Sequence, residues 1–188
     1  MNTWNSKSAL RVLLCAVLYA ALSAVVCFTG AVHPIFFVGY QITAGILLSG
    51  IAIWAFRNVQ APGVAACLAL AMILLLVAIG DAVMWHVVPL VVIGLLAEAV
   101  RAVRKYDWLG DVIATAVMTF STFGYYGQIW FNRAYTYECA IEEMPAGYAD
   151  GLMAASPAWS LPLVIVIGIV VSVAVAYLTA KLFKLEKH

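Results

Sequence analysis

Residues 84–105 read MWHVVPLVVIGLLAEAVRAVRK. An almost unbroken apolar run leads into Arg101, Arg104 and Lys105. About 20 apolar residues span a hydrocarbon core roughly 30 Å thick, and Lys and Arg in short loops mark the cytoplasmic side. The stretch therefore predicts a membrane helix over 84–103 that starts outside, at Trp85 and His86, and ends inside. Glu98 and Arg101 stand three apart and share a helix face. An intramembrane carboxylate is a functional candidate by default. Its place near the inner end, beside Arg101, favours a structural pair or a partner contact over a proton relay.

The same arrangement recurs along the chain. Nine of the ten Lys and Arg residues fall in four places: Lys7 and Arg11; Arg57; Arg101, Arg104 and Lys105; and Lys181, Lys184 and Lys187. Apolar runs separate them. The expected fold is an all-α membrane protein, one domain over 1–188, with six transmembrane helices at about 8–28, 35–56, 64–80, 84–103, 111–131 and 157–183. Both termini are then cytoplasmic, and 132–156 forms a long external segment. The turns fit this map. His33–Pro34 stops a helix because proline disfavours helical backbone in the residue before it, and Ala61–Pro62–Gly63 marks a short inner turn. Asp107 and Asp111 share an inner loop with the basic cluster. Five acidic residues (Asp81, Glu138, Glu142, Glu143 and Asp150) fall outside, where Arg133 is the lone cation; Asp81 reads as a helix-terminus residue.

Composition excludes several classes. The chain is 66% hydrophobic and 10% charged, with mean hydropathy +1.04, whereas a soluble domain carries about a quarter charged residues. A net charge of +1 gives no sign of nucleic-acid binding. The four cysteines (Cys15, Cys27, Cys67 and Cys139) have no zinc-ligand spacing and read as small packing residues. The run Ala9–Gly30 exceeds a signal-peptide core of about 7–15 residues, so a start-transfer helix is expected. No GxxxxGK[ST] motif, nucleophile elbow or HExxH is present. The reading is a non-enzyme that needs no cofactor and no metal.

Candidate binding residues cluster outside. Tyr125, Tyr126, Gln128, Trp130, Asn132, Arg133, Tyr135 and Tyr137 crowd the outer end of the helix over 111–131, Trp85 and His86 begin another helix, and Trp159 begins the last. Interfacial belts account for Trp and Tyr. They do not account for Gln128, Asn132, Arg133 and His86 converging at one depth. Aromatic walls with a few fixed polar groups suit a small-molecule site. Arg133 either pairs with Glu138 or Glu142, or meets a ligand carboxylate or phosphate through its guanidinium fork. His33 and His86 both fall outside and are either polar tips or ligands to a metal or haem iron; His188 is a tail residue. Ala16, Ala20 and Ala24 recur at four-residue spacing, which lets helix backbones approach closely, within the chain or against a partner.

These features together resemble the Trep_Strep family of integral membrane proteins, placed among the substrate-binding S-components of energy-coupling factor (ECF) transporters. The resemblance runs nearly the whole chain. It is most specific in Tyr125–Arg133 (YYGQIWFNR) with Ala134 and Tyr135, and in Tyr148-Ala149-Asp150-Gly151-Leu152-Met153 followed by Pro157 and Trp159. Leu18–Tyr19 fits too, and Val59–Gly63 matches more loosely. The resemblance implies an S-component-like six-helix bundle without its own ATPase. Such a protein captures a substrate outside and docks on a transmembrane coupling subunit bound to two ABC ATPases. It implies a vitamin, a precursor or a metal ion as substrate; the aromatic residues with one Arg suit a flat, partly anionic molecule, and a haem-like or metal-containing compound fits that description, with His33 or His86 as an axial ligand. In related S-components a small-residue surface on the first helix makes the coupling contact; Ala16 and Ala20, extended by Ala24, match it here. A stand-alone transporter needs polar residues through the membrane middle, and few are present beyond Ser, Thr and Gln41. A non-transporting scaffold predicts no ligand.

Overall fold

The computed structural model describes residues 4–185, which contain helices and no strands. Lys187 and His188 lie outside the described residues. In chain order the helices are α1 (Ser6–Val32), α2 (Pro34–Val38), α3 (Tyr40–Asn58), α4 (Val64–Ile79), α5 (Met84–Val103), α6 (Trp108–Met118), α7 (Phe123–Tyr126), α8 (Gln128–Phe131), α9 (Arg133–Glu143), α10 (Tyr148–Ala155) and α11 (Ser160–Leu182). By length and composition, α1, α5 and α11 can cross a membrane, and α4 is a shorter apolar helix.

Local chemistry sets the ends. The Asn5 side chain accepts from the Ser8 N–H at 2.9 Å, and Ser8 Oγ accepts from the Asn5 N–H at 2.8 Å. This reciprocal cap starts α1. His33, extended before Pro34, ends α1 and begins α2, with proline at the first helical position where its missing N–H costs nothing. Gly80, at φ 79°, closes α4 in the left-handed conformation common at helix C-termini.

The central helix is α3, packed on α1, α6 and α11. Its contact with α11 is made of small residues: Gly45 and Ser49 face Gly168 and Ser172, and Ser49 Oγ donates to Ser172 Oγ at 2.8 Å. A Cβ on Gly168 would fall 2.4 Å from Gln41 Cγ, so the backbones touch. Between membrane helices, where burial of apolar groups gives little driving force, such close approach supplies the packing energy. The small residues Gly168, Ser172, Ala176 and Ala180, at four-residue spacing, carry this seam and were not singled out from the sequence.

Ala16 and Ala20 are 5% and 9% exposed, on the face of α1 that packs against α3 and α4. Ala24 is half-buried. This corrects the partner-surface expectation for Ala16 and Ala20: their small side chains serve close packing inside the fold. The outward face of α1 carries Leu14, Leu18, Ala21 and Val25.

The helix expected over 111–131 is broken. α6 stops at Met118, a 3-10 turn covers Thr119–Thr122, and α7 and α8 follow as short pieces. Ser and Thr hydroxyls compete for backbone groups, and Thr119 Oγ1 donates to the Ala116 carbonyl at 2.7 Å. Without water, a broken helix needs other partners for its backbone. Tyr19 supplies one, its hydroxyl donating to the Met118 carbonyl at 2.6 Å. Gln41 holds the same place from α3: its Nε2 donates to Thr119 Oγ1 at 2.9 Å, and its Oε1 accepts from the Tyr126 hydroxyl at 2.8 Å. The segment expected as an external connection, 132–156, is largely the helices α9 and α10.

The basic places share one end of the bundle. Trp4 at the start of α1 donates to the Pro62 carbonyl, Arg57 at the end of α3 reaches the α5–α6 turn, and Trp108 meets Tyr177 one turn before Lys181 on α11. There Arg101, fully buried, donates from Nε to Asp111 Oδ1 at 2.8 Å, and Arg57 donates to Asp111 Oδ2 at 3.0 Å. The remaining Arg101 N–H groups reach the carbonyls of Phe56, Val59 and Ala61. Its guanidinium lies 4.3 Å from the Phe56 ring centroid. Glu98 accepts from the Ala65 N–H at 3.0 Å and stands 3.6 Å from Arg101. The Glu98–Arg101 pair thus ties α4, α5 and α6 together. Lys105 and Tyr106 both take left-handed backbone at φ 54° and 60°, a conformation costly for residues with a Cβ. Arg57 and Gln60 hold that turn by donating to the Tyr106 carbonyl, both at 3.3 Å. Asp107 caps α6, and the Gly110 N–H, followed by Arg104, holds its carboxyl below the ordinary value.

Candidate functional site

At the opposite end the helices enclose a cavity of about 350 Å³. Its walls come from the end of α1 (Cys27), α2 (Phe37), the start of α3 (Tyr40), the α4–α5 connection (Asp81, Val83), the start of α5 (Trp85, His86), α7 (Tyr125) and α8 (Gln128). α9 and α10 cover it with Tyr135, Thr136, Cys139, Ala140, Glu143, Tyr148 and Leu152, together with Met144 between them.

The proline inside α5 shapes the wall. Pro89 has no N–H to offer the carbonyl four residues earlier, which belongs to Trp85. Against that carbonyl lies Gly124, on which a Cβ would fall 2.4 Å away. This close approach brings α7 onto the start of α5, where the His86 and Tyr125 rings stack with centroids 3.7 Å apart and planes 14° apart. The Tyr125 hydroxyl donates to Asp81 Oδ2. His86 Nδ1 lies 3.2 Å from the Asp81 carbonyl and 3.3 Å from Oδ1. Asp81, His86 and Tyr125 therefore form one cluster in the cavity wall, and Asp81 is more than a helix terminus.

Gln128 adds an open valence. Its Nε2 donates to the Gly124 carbonyl at 3.0 Å, which fixes the amide orientation, while Oε1 is buried with no hydrogen-bond partner. A buried unsatisfied acceptor costs about 1–3 kcal/mol.

The cover is fastened at both edges. The Tyr148 hydroxyl donates to the Gly30 carbonyl, binding α10 to the end of α1. Tyr137 donates to Asp150 Oδ1 at 2.9 Å, binding α9 to α10; that bond raises the Tyr137 pKa above its ordinary value.

Of the residues expected from the sequence, Trp85, His86, Tyr125, Gln128 and Tyr135 line this cavity. Arg133 points elsewhere: Nη1 donates to the Ser156 carbonyl at 2.8 Å and to Ser156 Oγ at 3.1 Å, and Nη2 donates to the Met153 carbonyl at 2.7 Å. It clasps the end of α10 and pairs with neither Glu138 nor Glu142. Trp130 donates to the Pro157 carbonyl at 3.2 Å, and Tyr126 is buried on Gln41. Asn132 precedes α9, its carbonyl accepting from Thr136 Oγ1 at 3.1 Å. His33 is exposed, its Nδ1 accepting from the Ile35 N–H at 3.2 Å as a helix cap. Trp159 is exposed. None of these six lines the cavity. Among the described residues, no group of three or more His, Cys, Asp or Glu is placed to hold a metal ion. The cavity residues passed over in the sequence are Phe37, Tyr40, Cys139, Glu143 and Tyr148. Tyr148 opens the 148–153 motif, and the others carry no pattern that marks them.

No curated protein and no solved structure matches the chain. One family model does, described as a hypothetical bacterial integral membrane protein (Trep_Strep), over residues 6–188. That match and the broad apolar surfaces of α1, α5 and α11 agree, and the chain belongs to the Trep_Strep family of bacterial integral membrane proteins.

Proposed function

We propose that this chain is the substrate-binding S-component of an ECF importer. It crosses the cytoplasmic membrane six times with both termini inside. It captures a small micronutrient, a vitamin or a vitamin precursor, and passes it inward through a transmembrane coupling subunit powered by two ATPases, with no chemistry of its own. The observation that carries this reading is the covered, aromatic-walled cavity at the end of the bundle opposite the basic clusters. Pockets of this size and lining hold small molecules. By the rule that basic loops stay in the cytoplasm, the cavity then opens outside. Family membership is consistent with the resemblance to S-components.

With Ala16 and Ala20 packed inside, the coupling contact on α1 falls to the outward stripe Leu14, Leu18, Ala21 and Val25. The test is co-purification from native membranes, followed by reconstitution. A coupling subunit and ATPases should accompany the wild-type chain, and Ala21→Trp should remove them without unfolding the bundle. Substrate uptake into liposomes by the purified chain alone would sink the proposal.

A further inference from the structure

The cavity offers acceptors, and four of its hydroxyl donors are engaged; the Trp85 indole and the Tyr135 hydroxyl, on side chains more than half exposed, are not among them. The hydroxyls of Tyr40, Tyr125 and Tyr148 donate to the Cys27 carbonyl, Asp81 and the Gly30 carbonyl, and Thr136 Oγ1 donates to the Asn132 carbonyl. What remains open is of the opposite kind, the half-exposed Asp81 carboxylate and Glu143 at the rim, with the unpartnered Oε1 of Gln128 buried in the wall. Neither Lys nor Arg lines the space. Arg133, the cation of this end, is held on the carbonyls of Met153 and Ser156. His86 is the remaining basic group, and it faces Asp81. With His86 neutral the lining carries two negative charges; with it protonated, one. The sign is negative in both states.

The aromatic walls point the same way. Tyr125 covers one ring face with His86, whereas Trp85 and Tyr135 are more than half exposed. A ring face attracts a cation through its quadrupole, and a buried amide oxygen without a donor is satisfied by a ligand N–H.

We infer that the cavity selects a ringed organic cation carrying an N–H donor, with the Asp81 carboxylate receiving the charged end and the Trp85 and Tyr135 rings flanking it. This rests on the cavity being the substrate site of the proposed importer. The charge of this substrate is opposite to that of the ligand carboxylate or phosphate that was one of the two readings of Arg133.

The experiment uses two probes with the same ring and chain and opposite charges, tryptamine and indole-3-propionate. Each is titrated calorimetrically into the full chain in detergent at neutral pH. Tryptamine should bind at least about tenfold tighter, the ratio expected of one charged hydrogen bond with a cation–π contact. Asp81→Asn, which keeps the acceptor for Tyr125, should remove most of that preference, and Glu143→Gln at the exposed rim should reduce it about twofold by removing one screened surface charge. Equal binding, or a preference for indole-3-propionate, overturns the cation assignment and leaves the importer reading standing. Binding of neither probe also overturns it, and the co-purification experiment then judges the importer reading separately.

Discussion

The two ends of this bundle use similar side chains to different effect. At the basic end Asp111 is bonded by Arg101 and Arg57, and the other Arg101 N–H groups reach three carbonyls. At the cavity end, Asp81 also has two side-chain partners, Tyr125 and His86. It remains half exposed, however, and the nearby Gln128 keeps an unpaired oxygen. Asp111 is 0% exposed and bonded by both arginines, and the nearby Glu98 Oε1, buried without a hydrogen bond, lies 3.6 Å from Arg101. Polar groups closed on themselves fix the packing of helices. Polar groups left partly open beside a void cost stability, and a ligand can repay that cost. Each end leaves one buried oxygen without a hydrogen bond, and the difference lies in exposure: Glu98 Oε1 faces the Arg101 guanidinium and Asp111 is sealed, whereas the Asp81 carboxylate borders the void.

The sharpest way to break this contrast is to open the closed end. Asp111→Ala leaves Arg57 and Arg101 buried without their carboxylate, and removing one partner of a buried pair costs about 3–5 kcal/mol. Thermal unfolding in detergent should show the largest loss of any single change considered, whereas Asp81→Asn should move the midpoint little and alter ligand binding. Similar destabilisation by both variants would erase the distinction between the ends.

A smaller effect is expected at Gly124. A Cβ there meets the Trp85 carbonyl at 2.4 Å, and Gly124→Val should cost about 1–3 kcal/mol through overpacking. Because the same contact places His86 against Tyr125, tryptamine affinity should fall along with stability. A variant that unfolds earlier yet binds unchanged would separate the wall from the site.

The smallest effect concerns the cover. The Tyr137 pKa is raised by its bond to Asp150. A tyrosine whose folded value lies above its unfolded value gives stability that is present below the unfolded pKa of about 10 and lost as pH rises through the folded value. Proteolysis between α9 and α10 should therefore be flat from neutral pH to about 9 and accelerate above about 10. In Tyr137→Phe it should lose that dependence.

Much of the fold was written in apolar runs with basic ends. α5 occupies Met84–Val103, the range expected for it, and α4 and α11 lie close to theirs, because membrane solvation rewards uninterrupted apolar length. The break after Met118 was hidden. Thr119, Ser121 and Thr122 are tolerated in a membrane helix, and what stabilises the broken form is Tyr19 and Gln41, about 100 and 80 residues away. The roles of Arg133 were hidden for a related reason: its partners are backbone carbonyls, which every residue carries. Alanine spacing on α1 reported close packing without saying whose backbone would approach. α9 and α10 are too polar for a hydropathy reading to distinguish them from a connection. His86, Trp85 and Gln128, which line the cavity, were legible because each stands next to an apolar helix end where a polar or amphipathic group is conspicuous.

The bonds among Gln41, Thr119 and Tyr126 have a further consequence. They lie in the middle of the bundle, between the cavity and the basic end, and Leu48, Met72 and Met118 are packed there with at most 2% exposure. Among the described residues, the interior beyond the cavity is filled there by packed side chains. On the proposed importer reading, a guest that enters beneath α9 and α10 meets those side chains and leaves by the door it came through. If this chain moves anything across a bilayer, the doorway itself has to change sides.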